Sequence, residues 1–199
     1  MSPGDSSRSI YLRPWRVDIV IRGGIRPPLA SAAIAGVAGR ALDAASAPAP
    51  GSVAIVLTDD AELAELNLEH MGIDGPTDVL SFPMLPPSVF GHGKAVPPEA
   101  LPVTARGRRT HIGDIAISVE RTIEQAEAGR GGQTGDLRWS AADELRLLVT
   151  HGTLHLCGWD HAEQAEEAAM RALEQRLLQA QRRRRGRQVP GGAGHRTAT

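Results

Sequence analysis

The sequence predicts a single α/β (α+β) domain in which helices cover a small mixed β-sheet. Two observations support this prediction. Short segments rich in β-branched residues, typical of strands, are interleaved with longer segments of helical periodicity. Their order is strand, helix, strand, helix, strand, long loop, strand and then three helices, which favours helices packed on a sheet. The chain has 199 residues, enough for one domain with a substantial core.

The first half of the chain holds three predicted strands and two predicted helices. Residues 15–21 alternate and residues 52–58 form a continuous apolar run, so both indicate strands, and a short strand follows at 77–82. Residues 29–45 are Ala-rich and periodic, which indicates a helix. Asp59 and Glu62 form a capping-box pattern for a second helix, which we expect to end near Met71, before Gly72.

The second half begins with an unusually long predicted loop at 83–109, which contains six prolines and three glycines. A loop of this length in a compact domain is usually functional or mobile, and we expect a flap beside the site described below. A strand at 110–118 and a helix at 120–128 follow, then a loop at 129–136. Ser140, with Asp143 three residues later, is expected to cap the next helix, and a last helix is expected from Ala162 to about Arg183.

Both chain ends are predicted to be disordered, which leaves residues 15–180 as the single domain. Residues 1–14 are rich in Ser, Arg, Pro and Gly. Residues 181–199 form a basic tail with six arginines and no acid. The net charge of the whole chain is −1, so the rest of the chain carries −7. That balance is not typical of a protein devoted to nucleic-acid binding, although the arginine tail can add phosphate contacts.

The composition indicates the cellular compartment of the protein and the residue types that form its core. Aromatic residues make up only 3%, so the core must be built from Ala, Leu, Ile and Val. A single cysteine, Cys157, excludes an intramolecular disulfide and fits a reducing compartment, and we expect it to fill the core. No apolar run has the length of a signal peptide or a membrane span. We therefore expect a cytoplasmic protein with no membrane partner.

Three of the seven histidines lie between positions 151 and 161, and this stretch is the centre of the functional prediction. His151 and His155 are four residues apart, so on a helix both imidazoles leave the same face. Gly158 stands where a helix end favours a left-handed residue, and the following turn returns His161 toward the same place. Three imidazoles with a fourth position open are the ligand set of a catalytic zinc site.

The spacing of the three histidines and Gly158 is also that of the metzincin peptidases. Those enzymes carry a Glu directly after the first histidine, where it acts as the general base. In this chain that position is Gly152. The pattern therefore predicts a hydrolytic metal site and argues against a metallopeptidase.

The stretch 151–161 resembles the His-Gly-x-Leu-His-Leu-x-Gly-x-Asp-His motif of the YbeY family of bacterial endoribonucleases and rRNA maturation factors. Two further blocks are similar to motifs of that family, namely Pro-Thr-Asp-Val-Leu-Ser-Phe-Pro at 76–83 and Gly-Asp-Ile at 113–115. Leu66 and Asn67 fit the segment that precedes the first of these blocks. The blocks stand in the family's order, and the resemblance covers about residues 15–180.

This resemblance implies a zincin-like metal helix and one Zn²⁺ per chain, bound by His151, His155 and His161. It also implies a cytoplasmic hydrolase, an endonuclease specific for single-stranded RNA. Such an enzyme would act in 16S rRNA 3′-end maturation and ribosome quality control, with the small ribosomal subunit and an assembly GTPase as partners. An alternative is a ribosome-assembly factor with weak or no nuclease activity; a metallopeptidase is the third possibility.

Other candidate residues are weaker, and the general acid or base is not identified. Asp160 is expected either to hold a ligand histidine or to cap the last helix, and Asp114 is a candidate because an inward carboxylate on a strand needs a partner. Thr77 and Asp78 are expected either to line the cleft or to cap a turn. Candidate RNA-binding side chains are Arg106, Arg108, Arg109, Arg182 and Arg183.

One position departs from the family pattern. The resemblance places an RNA-facing arginine four residues after Asn67, and this chain has Met71 there. A thioether carries no charge and no donor, so the departure bears on the rate of RNA cleavage.

Overall fold

The computed structural model describes residues 4–90, 109–129, 139–160 and 163–187, with side chains up to residue 182. The strands are β1 (Ser6–Leu12), β2 (Trp15–Ile21), β3 (Gly51–Thr58), β4 (Val79–Pro83) and β5 (Thr110–Ser118). The helices are α1 (Ser31–Ala44), α2 (Asp60–Met71), α3 (Val119–Glu127), α4 (Ala141–Leu156) and α5 (Gln164–Arg187), with a short 3-10 turn at Pro87–Val89.

The five strands form one mixed sheet in the order β1-β2-β3-β5-β4. The central strands β2, β3 and β5 are parallel to one another, whereas the edge strands β1 and β4 pair antiparallel with their neighbours. This arrangement confirms the predicted mixed sheet. It places β4, which follows the Pro-Thr-Asp segment, at one edge of the sheet.

The two faces of the sheet pack against different helices. Ile55 and Ile115 lie with side chains of α1, α4 and α5 in the main hydrophobic core. Ala116, one residue further along β5, packs instead with Leu63 of α2 in a smaller cluster. Successive side chains of a strand point to opposite faces, so α4 and α2 lie on opposite sides of the sheet. The histidine-bearing helix is therefore held on the main-core face.

Helix α4 begins and ends where local chemistry predicts. Ser140 accepts from the Asp143 backbone N–H and the Asp143 carboxylate accepts from the Ser140 backbone N–H, which completes the predicted capping box. At the other end Gly158 has a φ of +78°, the left-handed conformation expected after a helix.

The predicted capping box of α2 is confirmed in part. Asp59 accepts from the Glu62 backbone N–H as predicted. The Glu62 carboxylate, however, binds Arg22 and Thr58 instead of the Asp59 backbone.

The prediction of a disordered segment at 1–14 is wrong for residues 6–12, which form β1. Seven residues of β1 pair with β2, and the Ser9 hydroxyl donates to Asp18 on that strand. The Asp5 carboxylate also binds Arg22. Five of the seven side chains of β1 are exposed, and only Ile10 and Leu12 pack against the core, so its apolar pattern is too short to predict a strand. Backbone pairing with β2, which composition does not reveal, is what orders it.

The boundary of the predicted basic tail is also wrong, because α5 continues to Arg187. Gln181 is buried on this helix, so residues 181–187 belong to the folded part of the chain. Residues 188–199 lie outside the described residues, as do 91–108 of the predicted flap and 130–138 of the predicted loop. Among the described helices, none has the length and apolar character needed to span a bilayer.

Candidate metal centre

Helix α4 brings His151 and His155 together as predicted. Both side chains are half-buried, and their Nε2 atoms lie 3.1 Å apart. The rings meet edge to face, with centroids separated by 4.5 Å. The two histidines are one helical turn apart, so the helix itself fixes this spacing.

The spacing of the two Nε2 atoms fits a shared zinc ion. Zinc–nitrogen bonds of about 2.0–2.1 Å at a tetrahedral angle separate two ligand atoms by roughly 3.3 Å. The observed distance of 3.1 Å is slightly shorter than this value. A small rotation of either imidazole would remove the difference. Neutral imidazole is a preferred zinc ligand, so the donor chemistry fits as well as the distance.

Helix α5 contributes a carboxylate that contacts His151. The Nδ1 atom of His151 lies 2.7 Å from Oε1 of Glu174. A carboxylate can only accept, so the Nδ1–H group of His151 donates to it. In the neutral imidazole this leaves the lone pair on Nε2, the atom that faces His155 and the cleft.

The two histidines open into a cleft of about 400 Å³ between α4, the sheet edge and the end of α2. The walls of this cleft are mainly apolar. Trp159 and Asp160, which follow α4 in the chain, also line it. Met71 also lines it, so the position of the expected arginine does face the site. The described lining residues are Met71, Val79, Leu80, Ser81, Pro83, Leu85, Pro87, His151, His155, Gly158, Trp159 and Asp160.

Gly152 is buried against the sheet and leaves no room for the glutamate that a peptidase carries there. A Cβ atom at this position would lie 3.0 Å from Ile115 Cγ2, 3.1 Å from Ser81 Oγ and 3.2 Å from Val79 Cγ2. The Ser81 hydroxyl also donates to the Gly152 carbonyl at 3.2 Å. The missing side chain thus allows α4 to pack closely on β4 and β5, which sets the depth of the two histidines in the cleft.

The third predicted ligand, His161, lies outside the described residues. Asp160, immediately before it, lines the cleft, so the chain reaches the site at that point. Within the described ranges alone, no group of three or more His, Cys, Asp or Glu side chains is placed to hold a metal ion.

Asp114, on β5, lies away from the histidine pair, whereas Asp78, directly before β4, lines a cavity that also includes His151. Asp114 lies 2.9 Å from Nε2 of His111, and alternation along β5 places it on the face opposite Ile115 and α4. Asp78 accepts from the Val79 backbone N–H, the Gln125 amide and the Thr77 hydroxyl. These contacts support the turn-capping role predicted for the Thr77–Asp78 pair, and the place of Asp78 in the wall of the cavity beside His151 supports the lining role.

The candidate arginines are dispersed. The Arg109 guanidinium lies 5.5 Å from the centre of the Tyr11 ring, outside the cleft. Arg182 lies over the Trp139 ring and lines a second cavity of about 330 Å³, which shares Val79 and His151 with the cleft. Arg106, Arg108 and the Arg183 side chain lie outside the described residues.

Cys157 is fully buried at the end of α4, as predicted for a core residue. Burial raises the pKa of its thiol to about 12, since the thiolate would lose its solvation there. A thiol with that pKa stays protonated at neutral pH and is not a nucleophile.

Sequence reasoning missed Glu174. It lies in a stripe of buried positions on α5 with Met170, Leu173 and Gln181, and only 8% of its surface is exposed. A signal was present, because an acid stands between apolar residues at helical spacing. The sequence alone does not show which side chain across the interface donates to its carboxylate.

Comparison with known proteins agrees with these motifs. Residues 29–182 match the family model described as Endoribonuclease YbeY. A protein named Endoribonuclease YbeY from Salinispora tropica is 42% identical over 78% of this chain and 90% of its own length. One of the same name from Lachnoclostridium phytofermentans is 35% identical over 69% of this chain and 79% of its own length.

A solution structure of a Thermotoga maritima protein covers 89% of this chain and 99% of its own, at 18% identity and a TM-score of 0.45. A likeness of this strength adds nothing to the assignment. The matched model spans strands β3, β4 and β5 and the two histidines of α4, and on that match the chain belongs to the YbeY endoribonuclease family.

Proposed function

We propose that this protein is a zinc-dependent endoribonuclease that cleaves single-stranded RNA in 16S rRNA 3′-end maturation and ribosome quality control. His151, His155 and His161 would hold the metal. The observation that carries the proposal is the pair of Nε2 atoms 3.1 Å apart at the base of an open cleft, in a chain of an endoribonuclease family. We place the reaction in the cytoplasm, on the small ribosomal subunit with an assembly GTPase as partner, as the family motifs imply.

The residues of the cleft suggest how RNA is held. A zinc ion held by the histidines would supply Lewis acidity, which would lower the pKa of a bound water toward 7 and polarise a phosphate oxygen. Trp159 offers an aromatic surface on the cleft wall, and stacking on such a surface suits an unpaired base better than a base pair. The exposed carboxylate of Asp160 stands at the same wall and is the described acid closest in sequence to the predicted ligands.

A direct assay tests the proposal. Metal-loaded protein is incubated with a single-stranded RNA, the same RNA as a duplex, and casein, with and without chelator. We expect cleavage of the single strand alone, lost with chelator, and one divalent metal per chain by elemental analysis. A 2′,3′-cyclic phosphate on the product would show attack by the ribose 2′-OH, whereas a 5′-phosphate with a free 3′-hydroxyl would show attack by water.

Variants connect the activity to the histidine pair. His151→Ala and His155→Ala should each lose both metal and cleavage. His111→Ala is the matched control, since His111 is bound to Asp114 and lies outside the cleft. Cleavage that persists in the double mutant His151→Ala/His155→Ala, or chelator-sensitive proteolysis of casein, would overturn the proposal.

One observation favours a second candidate, a ribosome-assembly factor with weak nuclease activity. Among the described residues that line the cleft there is no arginine or lysine. Phosphoryl chemistry usually relies on such cations to stabilise the developing charge. Under this alternative the protein binds the small subunit with normal affinity, and the single-strand assay gives only trace cleavage.

A further inference from the structure

We infer that Glu174 is a positioning residue for the metal centre, which makes helix α5 a part of the site. The inference rests on the proposed metal function and deepens it. Glu174 stands 23 residues after His151 in the chain, and the two meet only because α5 packs across α4.

The first argument is the contact itself. The Glu174 carboxylate accepts the Nδ1–H of His151 at 2.7 Å. Histidines that bind metals through Nε2 are commonly held in this way by a carboxylate, which fixes the tautomer and the ring orientation and makes Nε2 more basic. The contact is therefore of the kind that prepares an imidazole to bind a cation.

The second argument is the place of Glu174 on its helix. Met170, Leu173 and Leu177 pack against the main core, and Glu174 lies among them with 8% of its surface exposed. A leucine there would extend the apolar stripe, whereas a carboxylate has to be removed from water. The only hydrogen bond of Glu174 among the described residues is the one to His151. Packing alone does not account for an acid at this position.

The third argument comes from a comparison with Glu167, another carboxylate of α5. Glu167, seven residues earlier, binds Arg171 on its own helix and has a side chain 35% exposed. It is an ordinary surface pair and contributes little to stability. Glu174 differs by being buried and by reaching across to another helix.

The test uses three variants of the full-length protein. Glu174→Leu keeps the size of the side chain and removes the acceptor. Glu174→Gln keeps an acceptor oxygen and removes the charge. Glu167→Gln is the matched control, a carboxylate lost from the same helix at the surface. Zinc affinity is measured by competition with a chromogenic chelator, and thermal unfolding of the metal-free protein is measured in parallel.

We expect Glu174→Leu to bind zinc about 10- to 100-fold more weakly, the usual effect of removing such a partner. Its metal-free form should unfold at the wild-type temperature or above. The zinc affinity of Glu174→Gln should lie between the affinities of Glu174→Leu and wild type. Glu167→Gln should match wild type in both zinc affinity and thermal unfolding. The Co²⁺ absorption spectrum should change in Glu174→Leu, since the ligand field depends on the orientation of His151.

Two results would overturn the inference. One is wild-type zinc affinity in Glu174→Leu. The other is a loss of affinity that merely follows a loss of folding in the metal-free protein. Failure of the proposed function is a separate result, because it would appear as absent metal or absent RNA cleavage in the wild-type protein itself.

Discussion

Met71 is the single residue of the cleft at which we expect a substitution to raise the rate of RNA cleavage. It lies at the end of α2 on the cleft wall, with 49% of its surface exposed, at the position where the family motif calls for an arginine. An arginine would present a planar cationic fork to a phosphate, whereas a thioether presents no donor. Since no arginine or lysine lines the described cleft, we expect the phosphate to lack a cationic contact at position 71.

We predict that Met71→Arg raises the single-turnover rate of RNA cleavage by roughly tenfold to a hundredfold. One preorganised donor to a developing negative charge is typically worth about that factor or more. Leu68→Arg is the matched control, because Leu68 is an exposed apolar residue of the same helix that does not line the cleft. Equal rates for Met71→Arg and wild type would mean that position 71 does not reach the phosphate.

At the scale of elements, the contact between α4 and the edge of the sheet determines where the histidines lie. Gly152 lets the helix backbone approach β4 and β5, and Gly113 does the same from the strand side. A Cβ atom at Gly113 would lie 2.4 Å from the Phe82 carbonyl oxygen and 2.8 Å from Leu156 Cδ2. Two glycines thus bring helix and sheet together directly beneath the cleft.

We predict that Gly152→Ala destabilises the protein by about 1–3 kcal/mol, the usual cost of adding volume to a packed interface. Three side chains would have to move by a few tenths of an ångström, and α4 would shift away from the sheet. Zinc affinity should fall as well, since both histidines move with the helix. Urea unfolding and chelator competition measure the two effects.

The control for this change is Gly36→Ala in α1. A Cβ atom there would meet only the flexible end of Arg40, at 3.3 Å. Replacing a helical glycine by alanine then stabilises by up to about 1 kcal/mol. If both substitutions changed the free energy of unfolding in the same direction, close packing would not be the reason for a glycine at position 152.

For the whole molecule, the distribution of charge bears on how RNA is held. The net charge is −1, and the arginine-rich residues 182–187 lie on the last turns of α5. The same helix carries Glu174 at the metal site and Arg182 in the adjoining cavity. Basic residues that looked like a separate tail are therefore attached to the site by a continuous helix.

We predict that Arg183→Gln/Arg184→Gln/Arg187→Gln weakens binding of single-stranded RNA and flattens the salt dependence of log affinity by about two units. Each phosphate contact on a single strand contributes roughly 0.7 of a unit, and glutamine keeps the helix. Arg8→Gln/Arg13→Gln/Arg26→Gln is the matched control, since these three are exposed on or beside β1 and β2. Equal slopes for both triple variants would assign the α5 arginines no role in RNA binding.

The sequence by itself determined those features that depend on neighbouring residues. The caps at Asp59 and Ser140, the left-handed Gly158 and the pairing of His151 with His155 follow from spacings of a few residues. Helical geometry and backbone hydrogen bonds act over the same short range. The mixed sheet was predicted for a related reason, because strands β2, β3, β4 and β5 carry their own apolar patterns.

Only the tertiary structure decided the features that depend on contacts between distant segments. Strand β1 has few buried side chains and is ordered by its ladder with β2, and Glu174 gains its role from His151, which lies 23 residues earlier in the chain. Asp114 was a candidate until the sheet placed it on the opposite face with His111. A local pattern shows which residues can be buried or charged, whereas their partners are fixed by packing, which joins segments that the sequence keeps apart.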